Sequence, residues 1–164
     1  MARWQPARTD VIAEYAREIL EVHPSGRIVV GLDGIEDPAG DEPAERERFG
    51  ADLAAAFSAE GVEGFPVQLG AFAVNPQATS PERYFDEAAF RAQVLTPYRR
   101  GEPVVVERAI SGGAMTDGFQ PPERAVLVVS GPFLHFGDLA GVWHTSAWLQ
   151  VPREVAEELS LIHI

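Results

Sequence analysis

The sequence predicts an α/β domain in which a mainly parallel β-sheet is covered on both faces by helices. Two observations lead to this prediction. Short apolar runs without polar alternation, at 27–32 and 125–130, are typical of strands buried on both faces. Segments with apolar residues at helical spacing, at 10–22 and 44–60, alternate with such strands, as they do in parallel α/β proteins.

The other elements are predicted from local patterns in chain order. Thr9 is suited to cap the first helix, and the sequence His-Pro-Ser-Gly at 23–26 ends it. An acidic loop at 33–43 then leads into the second helix. Further predictions are a strand at 65–72, a loop at 75–80, a helix at 81–95 with Ser80 as its N-cap and Pro97 closing it, an edge strand at 104–110, a loop at 111–122, a strand at 146–151 and a helix at 153–159.

Composition restricts the classes of function. The chain has 164 residues, 46% of them hydrophobic and 23% charged, which suits one globular domain without a membrane span. It has no cysteine, which excludes disulfides, thiolate zinc sites and a cysteine nucleophile and fits a reducing, cytoplasmic location. The net charge of −12 argues against nucleic acid as a partner. All 13 basic residues are arginine, so no lysine is available to contact phosphate.

The loop after the first predicted strand is the first place to look for a ligand site, because open parallel sheets bind ligands where their strands end. Gly34 and Gly40 are separated by five residues, where a phosphate-binding loop has four. Asp41 and Glu42 follow, at the positions where such a loop has Lys and Ser or Thr. From the loop alone two interpretations stay open: a degenerate phosphate loop, or an ordinary turn between a strand and a helix.

Four segments, in order along the chain, resemble the uridine-kinase-like branch of the P-loop kinases. They are GRIVVGLDGI at 26–35, SPERYF at 80–85, FDEAAFRAQVLTP at 85–97, and AVLVVSGPFLH at 125–135 with its continuation to WLQVP at 148–152. The resemblance covers residues 26–155. It implies a three-layer α/β/α fold with a central, mainly parallel sheet. It also implies magnesium-dependent transfer of the ATP γ-phosphate to a nucleoside or a similar small alcohol.

The sequence departs from the family pattern at the positions that carry chemistry. The phosphate-loop Lys is replaced by Asp41, and the magnesium-binding Ser or Thr by Glu42. The acidic triplet after the second strand reads Gly-Ala-Phe at 70–72, so the base is missing. The acid of the family's VVEG motif is replaced by Ser130, and the Asp after the tryptophan by His144.

These departures weaken both phosphate binding and catalysis. Two carboxylates close to a triphosphate repel it by roughly several kcal/mol, and a lost general base costs about 10²- to 10⁴-fold in rate. Pro38 also removes one backbone N–H from the loop. Magnesium bridging acids and phosphates is the physical route by which activity could survive.

The resemblance therefore yields candidate residues but no catalytic residue, no metal ligand and no cofactor, with magnesium and ATP expected only if the family activity is retained. The degenerate nucleotide-binding set is Asp33, Gly34, Gly40, Asp41 and Glu42. A nucleoside pocket is predicted to include Phe72, Tyr84, Phe85 and His135. For the aromatic residues, burial in the core is the competing interpretation, and for His135 it is a structural role.

Three functional hypotheses follow for a single domain spanning 1–164. The first is a catalytically inactive uridine-kinase-like domain that binds a nucleotide or nucleoside or has a regulatory role. The second is an active kinase of altered chemistry, and the third is a structural or interaction module. Within the domain, 1–25 is the N-terminal helix and 26–158 the kinase-like core. The apolar ending at 159–164 lacks the family's lid pattern and is expected to be a non-native tail of a truncated domain. The sequence does not predict the oligomeric state.

Overall fold

The structure is a computed structural model, and it describes residues 8–34, 45–72, 74, 85–110, 113–131, 134–135, 137–150 and 161–163. Its centre is a five-stranded sheet in the order β2-β5-β1-β6-β7. The strands are β1 (Arg27–Gly34), β2 (Glu63–Gln68), β5 (Ala125–Ser130), β6 (Thr145–Gln150) and β7 (Leu161–His163). The first four run parallel, and β7 is antiparallel to β6.

One face of the sheet is covered by α1 (Arg8–Val22) and α2 (Glu45–Ala59), and we call it the helical face. The apolar spacing that predicts these helices also provides their packing surface. The buried side chains on this face are Ile12, Tyr15, Ala16 and Ile19 of α1, Phe49, Leu53, Ala54 and Phe57 of α2, and Ile28, Val30, Leu32, Val126, Val128 and Ala147 of the strands.

The opposite face, which we call the mixed face, is covered by several short segments. These are a 3-10 turn at Leu69–Phe72, α3 (Glu87–Phe90), a π-helical stretch at Arg91–Leu95, α4 (Thr96–Arg100), β3 (Val104–Ile110) and a 3-10 turn at Gly137–Gly141. They pack against Val29, Leu127 and Val129 of the central strands. Helices thus cover both faces of a mainly parallel sheet, as predicted.

The helical segment 87–100 differs from its prediction at both ends. Asp86 is its N-cap and accepts a hydrogen bond from the Ala89 N–H at 3.0 Å, while the predicted cap Ser80 lies outside the described residues. The prediction that Pro97 closes the helix is wrong. Pro97 occupies the first turn of α4, and the π-helical turn before it absorbs the loss of a backbone donor, with the Thr96 N–H donating to the Arg91 carbonyl.

The strands β3 and β4 (Gly113–Phe119) pair with each other in a separate, two-stranded antiparallel sheet. The predicted edge strand is therefore not part of the main sheet, and most of the predicted loop at 111–122 is a strand. Glycines at both ends of β4 suggested a loop, but pairing with β3 overrides this weak local preference. The predicted strand at 65–72 is likewise shorter, because β2 ends at Gln68 and continues as the 3-10 turn.

Of the C-terminal residues after 150, the structure describes 161–163. The predicted helix at 153–159 lies outside the described residues. Part of the apolar ending forms β7, whose residues 161–163 pair with residues 148–150 of β6. Among the described residues, none of the helices has the length and apolarity that crossing a bilayer requires.

Candidate functional site

The carboxyl ends of the parallel strands meet at one edge of the sheet, which is the edge where such sheets bind ligands. Ser130, the last residue of β5, pairs with Leu32 of β1 and with Gln68 of β2. On the other side, Gly34 at the end of β1 pairs with Leu149 of β6. We refer to this region as the carboxyl edge.

Asp33 is the buried acid of the carboxyl edge, with only 2% of its surface exposed. Its Oδ2 accepts a hydrogen bond from the Leu134 N–H at 3.1 Å and lies 3.5 Å from Nδ1 of His135. Because a buried carboxyl group without polar partners is strongly destabilising, these contacts offset part of the cost of burying Asp33.

The imidazole of His135 connects Asp33 to a hydroxyl. Its Nε2 lies 2.9 Å from Oγ of Ser146, in the second position of β6. The His135 side chain is 38% exposed and Ser146 is half-buried, so solvent reaches this end of the array. Asp33, His135 and Ser146 thus form one chain of polar contacts running from the interior towards the surface.

Leu134 and Trp143 hold His135 in this place. The Leu134 N–H is bound by Asp33, and its carbonyl accepts a hydrogen bond from Nε1 of Trp143 at 2.8 Å. The indole lies directly over Gly31, where a Cβ would be only 2.8 Å from Cδ2 of the ring. Gly31 is therefore required for the close approach that fixes Trp143, Leu134 and, through them, His135.

Gly131 directly follows β5 and packs closely on the turn after β2. Its N–H donates to the Leu32 carbonyl at 3.1 Å, which continues the β1–β5 ladder by one residue. A Cβ at this position would lie 2.4 Å from Cβ of Leu69, inside the packed core. The glycine in the sequence Ser-Gly-Pro thus permits the close contact between this segment and the turn that follows β2.

The structure tests the position of only some of the predicted site residues. Asp33, Gly34 and His135 lie at the carboxyl edge, and Asp33 and His135 contact each other. Gly40, Asp41, Glu42 and Tyr84 lie outside the described residues. The membership of these residues in a ligand site stays a prediction.

Phe72 and Phe85 are buried in the core of the mixed face, with 8% and 3% of their surfaces exposed. Phe72 packs edge-to-face on Phe90, with ring centroids 5.5 Å apart. The backbone of the 3-10 turn is also bound to the start of α3, because the Asp86 N–H donates to the Phe72 carbonyl at 2.9 Å. These contacts favour the core interpretation of both rings over a stacking role in a nucleoside pocket.

The end of β2 carries no acid. Gly70 and Ala71, at the position where the resembled family has its acidic triplet, form the 3-10 turn directly after this strand. At the end of β5, Ser130 is buried with 3% exposure beneath α2, whose Gly50 leaves room for it. Among the described strand ends, Asp33 of β1 is therefore the buried carboxylate.

His144 lies at the other end of the sheet and has a structural role. It precedes β6, and its N–H donates to the Val29 carbonyl at 2.9 Å. Its Nδ1 accepts from the Val29 N–H at the same distance. Burial lowers the pKa of His144, and the nearby charges of His23 and Arg99 act in the same direction. The ring thus completes backbone pairing as a neutral acceptor, which is the structural role that the sequence favours for a lone histidine.

Sequence reasoning missed Ser146, Leu134 and Trp143 as parts of the site. Ser146 opens an apolar predicted strand, and nothing in its neighbourhood indicates contact with His135. The signal that could have found the array is the pairing of a buried acid at the end of one strand with a histidine after the next parallel strand. Among the described residues, no group of three His, Asp or Glu side chains is arranged to hold a metal ion.

Comparisons with known proteins place the fold. No protein-family model matches the chain, and no curated protein matches it. Among solved structures, a provisionally named fructose transport system kinase from Silicibacter sp. TM1040 is similar, with a TM-score of 0.65 and 24% identity over 86% of this chain and 75% of that one. A possible uridine kinase from Bacillus stearothermophilus has a TM-score of 0.67 and 14% identity, over 88% of this chain and 82% of that one.

These similarities confirm the predicted α/β fold, with a mainly parallel central sheet flanked by helices. At such identities a structural likeness establishes the fold and leaves the chemistry to be argued from the site.

Proposed function

We propose that this chain is a uridine-kinase-like domain that binds a nucleoside or nucleotide without transferring phosphate. The fold supports the binding half of the proposal, because this fold binds its ligands at the carboxyl edge. The two similar structures are named as kinases. The loss of phosphoryl transfer follows from the residues that come after β1 and β2 in the sequence.

The observation that carries the proposal is the reversal of charge between β1 and α2. Six acids and a single basic residue, Arg46, lie between positions 36 and 47. Asp41 and Glu42 precede the first residue of α2 by four and three positions. In a phosphate-binding loop the start of this helix and a lysine together attract the anion. Here the chain supplies carboxylates, which themselves favour a helix N-terminus and repel a phosphate.

A second defect concerns the acceptor hydroxyl. Phosphoryl transfer depends on positioning and on charge neutralisation, assisted by a group that accepts or orients the acceptor proton. The turn at Leu69–Phe72 offers no carboxylate at the end of β2. At the sequence positions after β1 and β2 where the resembled family has a cation and a base, this chain has neither, so restoring only one of them is not expected to restore transfer.

Titration calorimetry tests the binding half and the charge argument together. We expect the native chain to bind magnesium-ATP at least about tenfold more weakly than the variant Asp41→Lys/Glu42→Ser, a difference of about 1.4 kcal/mol. The matched control is Glu21→Lys/Glu14→Ser on exposed positions of α1, which makes the same change in net charge away from the carboxyl edge. Equal affinities in all three proteins would contradict the charge argument.

A titration with uridine completes the test, since a neutral nucleoside does not experience the repulsion. We expect uridine to bind the native chain and the Asp41→Lys/Glu42→Ser variant with similar affinity. Absence of binding by both uridine and magnesium-ATP would refute the binding half of the proposal and favour a structural module.

A further inference from the structure

In the array of Asp33, His135 and Ser146, a carboxyl group, an imidazole and a hydroxyl follow one another in space. This arrangement can activate the hydroxyl as a nucleophile, which is a chemistry independent of the proposed function. Nδ1 of His135 faces Oδ2 of Asp33 at 3.5 Å, so the ring tautomer with its proton on Nδ1 directs that proton at the carboxyl group. In this tautomer Nε2 is the acceptor, and the hydroxyl of Ser146, 2.9 Å away, donates to it.

This is the arrangement by which a histidine activates a serine: base within hydrogen-bond reach of the hydroxyl, and carboxylate on the far nitrogen of the ring. Such arrays are recognised by geometry and roles, and they occur on unrelated folds. The separation of 3.5 Å between Asp33 and His135 is long for a hydrogen bond. Contacts of this kind are often loose without substrate and shorten when it binds.

We propose that Ser146 is a nucleophile activated by His135, with Asp33 as the positioning residue, and that it reacts with small neutral carboxylic esters. Three features favour this substrate class. The half-exposed His135 and Ser146 are reachable from solvent. The indole of Trp143 covers Gly31, the register partner of Ser146, and so offers apolar surface on the same face. The net charge of −12 disfavours anionic substrates.

The reaction balances without a cofactor. As Oγ of Ser146 forms a bond to the acyl carbon, its proton passes to Nε2 of His135. The bond between the acyl carbon and the ester oxygen breaks, and the leaving alkoxide takes that proton and departs as the alcohol. Water, deprotonated by the same nitrogen, then attacks the acyl-serine and releases the carboxylic acid and the free hydroxyl of Ser146.

A fluorophosphonate probe tests the nucleophile directly, since it phosphonylates activated serines and needs no nucleotide. We expect one adduct per chain by intact mass spectrometry, and peptide mapping should place it on Ser146. Ser146→Ala should abolish the adduct. The matched control is Ser58→Ala, because the hydroxyl of Ser58 donates to the Ala54 carbonyl within α2 and has no histidine partner. This control should label at the native rate.

The roles of His135 and Asp33 are separated by two further variants. His135→Gln, at an exposed position, should slow labelling at least about 100-fold, because a general base contributes about 10²- to 10⁴-fold. For Asp33, proton NMR adds a reading that a purely structural role would not move. The Nδ1 proton of His135 should give a downfield resonance that is absent in His135→Gln and shifted upfield in Asp33→Asn.

Two results would overturn the proposal: an adduct on some other residue or none at all in the native chain, or labelling of Ser146 at the native rate in His135→Gln. Since no ATP or nucleoside is present, these outcomes leave the proposed function untouched, and failure of nucleotide binding leaves this proposal untouched.

Discussion

The two faces of the central sheet are built in different ways. The helical face is formed by two regular helices, α1 and α2, whose apolar side chains pack on alternate residues of β1 and β5. The mixed face is assembled from 3-10 turns, a π-helical stretch, two short helices and β3. It also carries polar contacts of Asp33, Tyr98 and Trp143, of which those of Asp33 and Tyr98 are buried. The regular face provides stability by burial, and the irregular face also positions polar groups, with Asp33 at the carboxyl edge and Tyr98 near the start of β1.

One buried tyrosine on each face provides the largest expected effect, at alkaline pH. Burial raises the pKa of Tyr15, on the helical face, to about 12, and it raises the pKa of Tyr98, on the mixed face, further still. Because the unfolded chain loses these protons near pH 10, the stabilisation is complete below pH 10 and decreases as the pH rises towards 12 and beyond. At pH 12 the loss is about 2 kcal/mol for Tyr15.

Urea unfolding at pH 8 and at pH 12 measures this loss. Tyr15→Phe and Tyr98→Phe should each reduce the difference between the two pH values, and the double variant should reduce it most. A difference that is the same in the native chain and the double variant would mean that neither hydroxyl is held in its protonated form by burial.

Two glycine-to-alanine substitutions, one on each face of the sheet, are expected to change the free energy of unfolding in opposite directions. Gly31→Ala places a Cβ against Trp143, whose indole is held by the Leu134 carbonyl, so overpacking should cost about 1–3 kcal/mol. Gly50→Ala lies inside α2, where a Cβ would be 3.4 Å from Ser130, an ordinary contact. Since alanine favours a helix over glycine, this change should stabilise by up to about 1 kcal/mol.

Chemical denaturation of both variants checks the sign of each effect. If Gly31→Ala were as stable as the native chain, the indole would be free to move, and the fixed position of His135 would lose its explanation.

The smallest expected effect concerns His144, which lies at the end of the sheet opposite to the carboxyl edge. The lowered pKa of His144 means that the unfolded chain binds a proton more readily below about pH 6.5. Stability should therefore decrease as the pH falls through that value. His144→Asn keeps an acceptor for the Val29 N–H and removes the titration, so the decrease should become smaller. Thermal melts between pH 5 and 7.5 test this, and Tyr15→Phe, which is neutral in this range, is the control.

The difference between the regular and the irregular face also explains which elements of the fold could be predicted from the sequence. The helices α1 and α2 and the strands β1 and β5 were predicted because each carries its pattern locally, as apolar spacing or an unbroken apolar run. The pairing of β3 with β4 and the continuation of the helix through Pro97 were not predicted, because they depend on pairing and packing that local propensity does not encode.

The candidate site likewise depends on contacts between distant parts of the chain, which local patterns do not predict. The sequence identifies Asp33 and His135 separately, as a residue after a strand and as part of a family-like segment. It does not show that they meet, since about a hundred positions separate them along the chain. The residues around Ser146 in the sequence give no indication that it belongs to the site. It lies next to the imidazole of His135 because of the register of β6 against β1.

Measurement of ADP formation decides whether the chain lacks phosphoryl transfer, as proposed above from the reversal of charge at Asp41 and Glu42. The chain is incubated with ATP, magnesium and uridine, and ADP is measured in a coupled assay against a blank without protein. We expect no uridine-dependent ADP above that blank. Uridine-dependent ADP that disappears in Asp41→Ala or Glu42→Ala would contradict this expectation, because the acids would then be holding magnesium for the reaction.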